Sequence, residues 1–316
     1  MPVLQGIEEK YWGKYKIDKE NDTTVYSDDE HVYIDKNDNS KFVSVTSLIG
    51  KYTQEFDENF WTSYKALEAL MDPEIFSIVK KTLLATKKFS EKFLTKFNID
   101  ANIFYEKKEE IKAEYERKRN ESCERGTAIH AMLENSFYNR NTFNFDKYGF
   151  ADLAGNFDCK KNYYKLDLEN GVYPEFLISL TSRDGILKVA GQIDLLVKRG
   201  NDIWIIDWKS NNKIEKTSFY NKSTKQYTMM KYPLNNLMDT NFWHYSLQLS
   251  TYAYLLQQIN PDFNIKGLKL VHIDHEGNQH EYDVEYLKED VERMLKHFKK
   301  KLKLETEYKK LKPVIS

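Results

Sequence analysis

VYPEFLISLTS (172–182), GILKVAGQIDLLVK (185–198) and NDIWIIDWKS (201–210) are three runs rich in β-branched and aromatic residues, parted by the turn pairs Asp184-Gly185 and Gly200-Asn201. This pattern predicts a three-stranded antiparallel meander. A turn centred on Gly200-Asn201 sets Asp194 opposite Asp207, and one centred on Asp184-Gly185 sets Glu175 opposite Asp194. All three carboxylates then share one face in one row, with directly opposed Cβ atoms about 4.5–5.5 Å apart. A slip of one residue, or a bulge near Gly191, would break the row. Side chains two apart on a strand point the same way, so Lys209 joins Asp207 while Trp204, Ile206 and Trp208 face the other side. Like charges set opposite one another destabilise a sheet. A divalent cation would offset that repulsion, and hard oxygen donors with at most one imidazole suit Mg²⁺ or Mn²⁺ better than a structural zinc.

Outward from this meander, short β-prone pieces between Thr23 and Val45 read as a small N-terminal hairpin. From Thr46 to about Tyr138 apolar residues recur at helical spacing, and the stretch after Phe104 reads as one long helix. Within this region Lys80, Lys81, Lys87, Lys88, Lys92 and Lys96 interleave with Phe89, Phe93 and Phe97. Such a pattern fits either an amphipathic helix pair with a solvated lysine face or phosphate contacts with rings for stacking. After the meander come a polar stretch to about Asp239, a helix (HYSLQLSTYAYLLQQI, 244–259), a strand (IKGLKLVHID, 265–274), a shorter strand and a closing helix. That helix carries Val291, Leu295, Phe298 and Leu302 on one stripe with lysines around it. The expected architecture is an α/β (α+β) core of mixed sheet flanked by helices, preceded by a helical region. Residues 1–100 are expected to form the hairpin and helical part and 101–316 the core.

Five segments follow in order, RGTAIH (125–130), Pro174-Glu175, GQID (191–194), DWK (207–209) and QLSTY (248–252), and together they resemble the motif set of RecB-like nucleases in the PD-(D/E)xK superfamily. RGTAIH (125–130) resembles the helical GxxxH, Pro174-Glu175 the acidic position of the first core strand, and GQID (191–194) the GxxD motif. DWK (207–209) resembles DxK, and QLSTY (248–252) resembles QxxxY. The N-terminal SVTSLI (44–49) is similar to an early segment of phage-type and mitochondrial genome maintenance exonucleases. The resemblance implies a restriction-endonuclease-like core and an Mg²⁺- or Mn²⁺-dependent DNA exonuclease leaving 5′-phosphate ends, the alternatives being a structure-specific endonuclease with the same site and a catalytically inactive DNA-binding or scaffold protein. It also implies a setting in phage-type replication, recombination or repair, with a recombinase or replication protein as a partner.

On this reading His130, Asp194, Asp207 and the Trp208 carbonyl hold metal, and Glu175 holds a second cation or its water. Lys209 orients or deprotonates the attacking water, or stabilises charge on phosphorus. Gln248 and Tyr252, one helical turn apart, would position Lys209, a water or a DNA phosphate. Each residue has a plainer alternative: a structural His130, an ordinary strand carboxylate at Glu175, ion pairing at the aspartates and Lys209, a core ring at Tyr252. Arg125 is a candidate phosphate contact, since its guanidinium fork matches phosphate geometry. Lys216, Tyr220, Lys222, Lys225, Tyr227, Lys231 and Tyr232 could form a flap over a single strand or frayed duplex, or simply a solvated loop.

Composition narrows the field. The chain of 316 residues has 41% hydrophobic and 14% aromatic residues, too many for a disordered chain. No apolar run reaches the roughly 18 residues of a membrane span and the N-terminus lacks a signal-peptide pattern, so a cytoplasmic protein is expected. Two cysteines, Cys123 and Cys159, are too few for an iron–sulfur cluster. The net charge of -1 leaves a nucleic-acid partner open, because the placement of positive charge matters and its sum does not.

Overall fold

The computed structural model describes residues 24–27, 32–138, 168, 170–221 and 224–315. Two compact units result: a sheet unit of residues up to Thr53, Gly126–Phe219 and Tyr227 onward, and a helical unit of Gln54–Arg125 with Tyr220–Gln226.

The sheet unit is built around β5 (Lys188–Arg199). Antiparallel β4 (Gly171–Thr181) covers one edge from Gly171–Lys198 to Thr181–Lys188. The other edge is shared. β3 (Lys41–Ser44) pairs in parallel at Val189 and Ala190, and antiparallel β6 (Asp202–Lys209) pairs from Leu195–Ile206 to Arg199–Asp202. Residues 191–194 of β5 therefore lie in a fork between β3 and β6. Outside this hub, β1 (Thr24–Ser27) and β2 (Val32–Asp35) continue from β3, and parallel β9 (Asn264–Ile273) and antiparallel β10 (Gln279–Asp283) continue from β6. Two short strands, β7 (Tyr220–Asn221) and β8 (Gln226–Tyr227), make a separate pair. The predicted meander is present in the register its turns dictate, and the N-terminal hairpin is the outer part of a three-stranded extension of the same mixed sheet.

One irregularity interrupts β4 and β5 together. Ladder pairs run on both sides of Glu175 and Asp194, but these two are not themselves paired, and Glu175 has a positive φ of 50°. Side-chain alternation breaks there in both strands. Tyr173 and Phe176, three apart, share one core face with Ile193 and Leu196, also three apart, while Val172, Leu195 and Val197 pack on the other. A regular strand would put residues three apart on opposite faces.

Helices cover both faces. α1 (Val45–Gly50) starts where Ser44 Oγ accepts the Ser47 N–H at 3.1 Å, and it buries Val45, Leu48 and Ile49. α6 (Asn241–Ile259) buries Leu247, Leu249, Ala253 and Leu256 in the same core. Two of its buried hydroxyls are satisfied within the helix: Ser246 and Thr251 donate to the carbonyls of Phe242 and Leu247, each at 2.7 Å. α7 (Lys288–Ile315) adds Val291, Met294, Leu295 and Phe298. On the opposite face Leu133 of α5 (Ala101–Tyr138) packs with Val172, Trp204, Ile206 and Trp208.

In the helical unit, α2 (Glu58–Leu70), α3 (Pro73–Thr86), α4 (Lys92–Lys96) and the first part of α5 enclose Phe60, Tyr64, Leu67, Phe76, Leu83 and Phe104. Phe89, Phe93 and Phe97 pack against this core, with Phe89 stacked on Phe104 at 5.0 Å between centroids. Their neighbouring lysines, Lys80, Lys81, Lys87, Lys88, Lys92 and Lys96, are exposed. The interleaved pattern is thus an amphipathic one, with the rings turned inward.

An ion pair joins the outer strands to the hub. Lys188 Nζ on β5 lies 2.7 Å from Asp35 Oδ2 on β2, from Asp38 Oδ2 and from Ser40 Oγ. Asp35 is buried, so removing its partner leaves a desolvated charge. Lys188→Met is expected to lower the unfolding free energy by about 1–3 kcal/mol, read from the urea midpoint. An unchanged midpoint would mean that the pair contributes nothing net.

Candidate metal centre

The fork in β5 brings the motif residues together. His130 on α5, Glu175 on β4 and Asp194 on β5 each offer a ligand atom, and these atoms lie within 4.8 Å of one another. His130 Nδ1 is 3.7 Å from both Glu175 Oε1 and Asp194 Oδ2, and its Nε2 is 3.1 Å from the Trp208 carbonyl oxygen. A ring that donates Nε2–H to a backbone carbonyl presents its Nδ1 lone pair, the arrangement by which an outer partner orients a metal-ligating histidine. The Asp194 carboxylate, with Glu175 adding to it, pushes the His130 imidazole up to about 9 against the effect of burial.

Asp194 accepts the Trp208 N–H at 2.8 Å through Oδ2. Burial, reinforced by the charge of Asp207, pushes its carboxyl up to about 7. Asp207 is almost fully buried; its Oδ1 accepts from Gln248 Nε2 at 3.2 Å and its Oδ2 lies 2.6 Å from Lys209 Nζ. Burial works against the Lys209 ammonium, but Asp207 and Asp194 more than offset it and raise its pKa above the ordinary lysine value. The donor set fits a hard divalent cation: one imidazole nitrogen and carboxylate oxygens, in a cluster where three acids face one ammonium and one imidazole.

Tyr252 and Gln248 complete the wall. Gln248 Nε2 also donates to Tyr252 Oη at 3.2 Å, and burial holds the phenol well above its ordinary pKa. The glycines of two motifs make room for these groups. A Cβ on Gly191 would meet Tyr252 Cε1 at 2.6 Å, and one on Gly126 would meet Ser210 Oγ at 3.3 Å.

The remaining candidates are placed as follows. Arg125 directly precedes Gly126 on α5 and is half-buried. Lys216 is exposed, with its ammonium 4.7 Å from the Phe242 ring centroid and 5.4 Å from that of Tyr282. Lys225 is exposed in the β7–β8 turn with a φ of 55°, and Lys222 lies outside the described residues, as does Cys159. Cys123 is exposed. Among the described residues no helix is long and apolar enough to cross a membrane.

Sequence reasoning missed two side chains. Gln192 Nε2 donates to Glu175 Oε2, fixing the carboxylate of the residue at which the β4–β5 ladder is interrupted. Tyr245 sets its ring 4.7 Å from Lys209 Nζ. The signal for Tyr245 was available, since positions 245, 248 and 252 share one helical face; that for Gln192 was its place beside Asp194 on a strand facing Glu175.

Gly191→Ala should overpack the Tyr252 ring and cost about 1–3 kcal/mol, seen as a lower melting temperature. Gly191→Ala combined with Tyr252→Leu should recover part of the loss. An unchanged melting temperature in the single variant would show that the ring yields freely.

No curated protein matches the sequence. Among solved structures, that of SSO0001 aligns at 14% identity over 96% of this chain and 86% of its own, with a TM-score of 0.32. A "Putative exonuclease" from Eubacterium rectale aligns at 14% identity over 81% of this chain and 78% of its own, with a TM-score of 0.31. Both likenesses are distant. The family comparison is firmer: residues 156–312 match the PD-(D/E)XK nuclease superfamily model, a span that includes Glu175, Asp194, Asp207, Lys209, Gln248 and Tyr252. The chain carries a PD-(D/E)XK nuclease superfamily domain, built on the β4–β5–β6 meander.

Proposed function

We propose that this protein is a divalent-metal-dependent deoxyribonuclease that degrades DNA from a strand end. The observation carrying the proposal is the convergence of His130, Glu175 and Asp194 ligand atoms beside the Asp207–Lys209 pair in a PD-(D/E)XK domain. His130, Glu175 and Asp194 would hold Mg²⁺ or Mn²⁺ with Asp207 as a further oxygen donor, while the Trp208 carbonyl, bonded to His130 Nε2, orients the imidazole. A bound divalent ion supplies charge stabilisation at the scissile phosphate and a nucleophilic water at neutral pH.

The chain's own groups supply the rest. Lys209 presents a buried ammonium, oriented by Asp207 and by the Tyr245 ring, to the charge that builds on phosphorus. Gln248 holds Asp207 and Tyr252 in one hydrogen-bonded string. In the reaction the water oxygen forms a bond to phosphorus in line as the bond to the 3′-oxygen breaks. The water's proton passes to solvent or a basic group and the 3′-oxygen takes one up, leaving a 5′-phosphate end. The exonucleolytic mode and a setting in phage-type replication, recombination or repair rest on the resemblance of the motif set to RecB-like and phage-type exonucleases.

End-labelled single- and double-stranded oligonucleotides and circular DNA, each incubated with Mg²⁺, Mn²⁺ or EDTA, test this reading. A ladder of products from linear DNA, absent with EDTA, is expected; circles cut as fast as linear DNA would overturn the exonucleolytic mode. Lys209→Ala should lower kcat by about a hundredfold or more while sparing DNA binding. Full activity in that variant would remove Lys209 from the mechanism.

A further inference from the structure

The sheet unit carries a concavity of about 880 Å³ between the Tyr232–Asn236 segment and the outer face of α7, away from the metal-centre residues. Its charge is one-sided. Arg293, Lys296, Lys300 and Lys301 line it, and among the described residues no carboxylate does. Arg293 is tied back to Asp290 and Asn236, and Lys296 stands 3.5 Å from Glu292. Lys300 and Lys301 are exposed and make no ion pair among the described residues. A solvated lysine face on a helix ordinarily intersperses acids and projects from a convex surface. Here the cations line a hollow.

The hollow also contains a positioned aromatic ring. Tyr232 is 71% exposed, yet its segment is fixed. Lys231 N–H donates to the Tyr52 carbonyl at 2.6 Å, Leu234 N–H to the Lys231 carbonyl at 2.9 Å, and Leu234 is fully buried. The Tyr232 ring meets His297 edge-to-face at 5.4 Å, and His297 Nδ1 is held 3.0 Å from Tyr52 Oη. Lysines lining a groove beside a preset, solvent-facing ring form the combination that binds a single strand, with phosphates on the cations and a base on the ring.

We propose that this groove is a second nucleic-acid site, holding a single-stranded segment through its phosphates on Lys296, Lys300 and Lys301 and one base stacked on Tyr232. The proposal rests on the reading above that the substrate is a nucleic-acid strand. The groove residues are separate from the metal-centre residues and do not take part in the cleavage step.

The test is fluorescence anisotropy of a labelled thymidine 20-mer with the full chain in EDTA, across a salt series. Replacing Lys296, Lys300 and Lys301 together by Ala should weaken binding about tenfold or more. It should also flatten the slope of log Kd against log salt by about 2, given roughly 0.7 per phosphate contact on a single strand. The corresponding triple Arg variant should bind as the wild type does, and Tyr232→Ala should weaken binding at least fivefold where Tyr232→Phe does not. An unchanged affinity and salt slope in the Ala triple variant would overturn the proposal, as would a wild-type chain that does not bind the 20-mer. With Mg²⁺, kcat on a five-nucleotide substrate should be the same in wild type and triple variant, while KM for long single strands rises. A chain that cuts nothing in any metal, yet binds the 20-mer through these lysines, would defeat the nuclease reading and leave the groove standing. Cutting with no groove dependence of binding would do the reverse.

Discussion

The site depends on crowding negative charge where a β-ladder is interrupted. In an unbroken hairpin ladder, Glu175, Asp194 and Asp207 would repel one another across regular pairs, at a cost to the sheet. The fork between β3 and β6 changes the terms. Beyond Leu195–Ile206 the β5 backbone no longer meets β6, and the Trp208 N–H goes to Asp194 Oδ2 instead of to a strand carbonyl. A side chain replaces a missing ladder partner, and the backbone hydrogen bond that orients the carboxylate costs no separate donor. Glu175, at φ 50°, stores strain of about 1–2 kcal/mol for a residue with a Cβ. Such strain persists only where the surroundings hold it, and Gln192 and the flanking ladder pairs do so here.

Much of this was legible from the sequence because turn chemistry sets register and register sets which acids oppose. Asp184-Gly185 and Gly200-Asn201 were enough to place Glu175 across from Asp194 and to bring Asp207 to the end of the same hairpin. The expected threat to that row, a bulge near Gly191, does not arise: Gly191 pairs regularly with Ile178. The interruption falls at the acid pair itself. No local signal announced it, since neither Glu nor Asp is a residue that seeks a left-handed conformation as glycine does. Two strands losing alternation at one point is a tertiary event, produced by cores on both faces demanding Tyr173 with Phe176 and Ile193 with Leu196. The phenylalanines of the helical unit illustrate the same limit. Their spacing among lysines fits core packing or stacking, and the core behind them, with Phe104 against Phe89, decides it.

The motif glycines gain a physical meaning from the same geometry. Gly191 is three residues before Asp194 because Tyr252, on a helix crossing that strand, needs the volume a Cβ would occupy. The glycine of one motif and the tyrosine of another are therefore two sides of a single contact. Gly126 stands in a similar relation to Ser210, the residue after Lys209, so that His130 four positions on can reach the Trp208 carbonyl. Spacing within each motif reports local geometry, and the pairing between motifs reports tertiary packing.

A centre of this kind poses an electrostatic problem for a polyanionic substrate. Its cations are already committed: Lys209 to Asp207, His130 to Asp194 and Glu175. Carboxylates that attract a divalent ion repel the phosphates on either side of the bond to be cut, so affinity for a strand must come from positive charge placed away from them. An overall charge of -1 conceals that division of labour. The proposed groove on α7 would meet that need: it gathers four cations with no acid in its lining among the described residues, on the same folded unit as the acidic centre. Under this separation the acids can be arranged for chemistry and the lysines for grip, without either set neutralising the other.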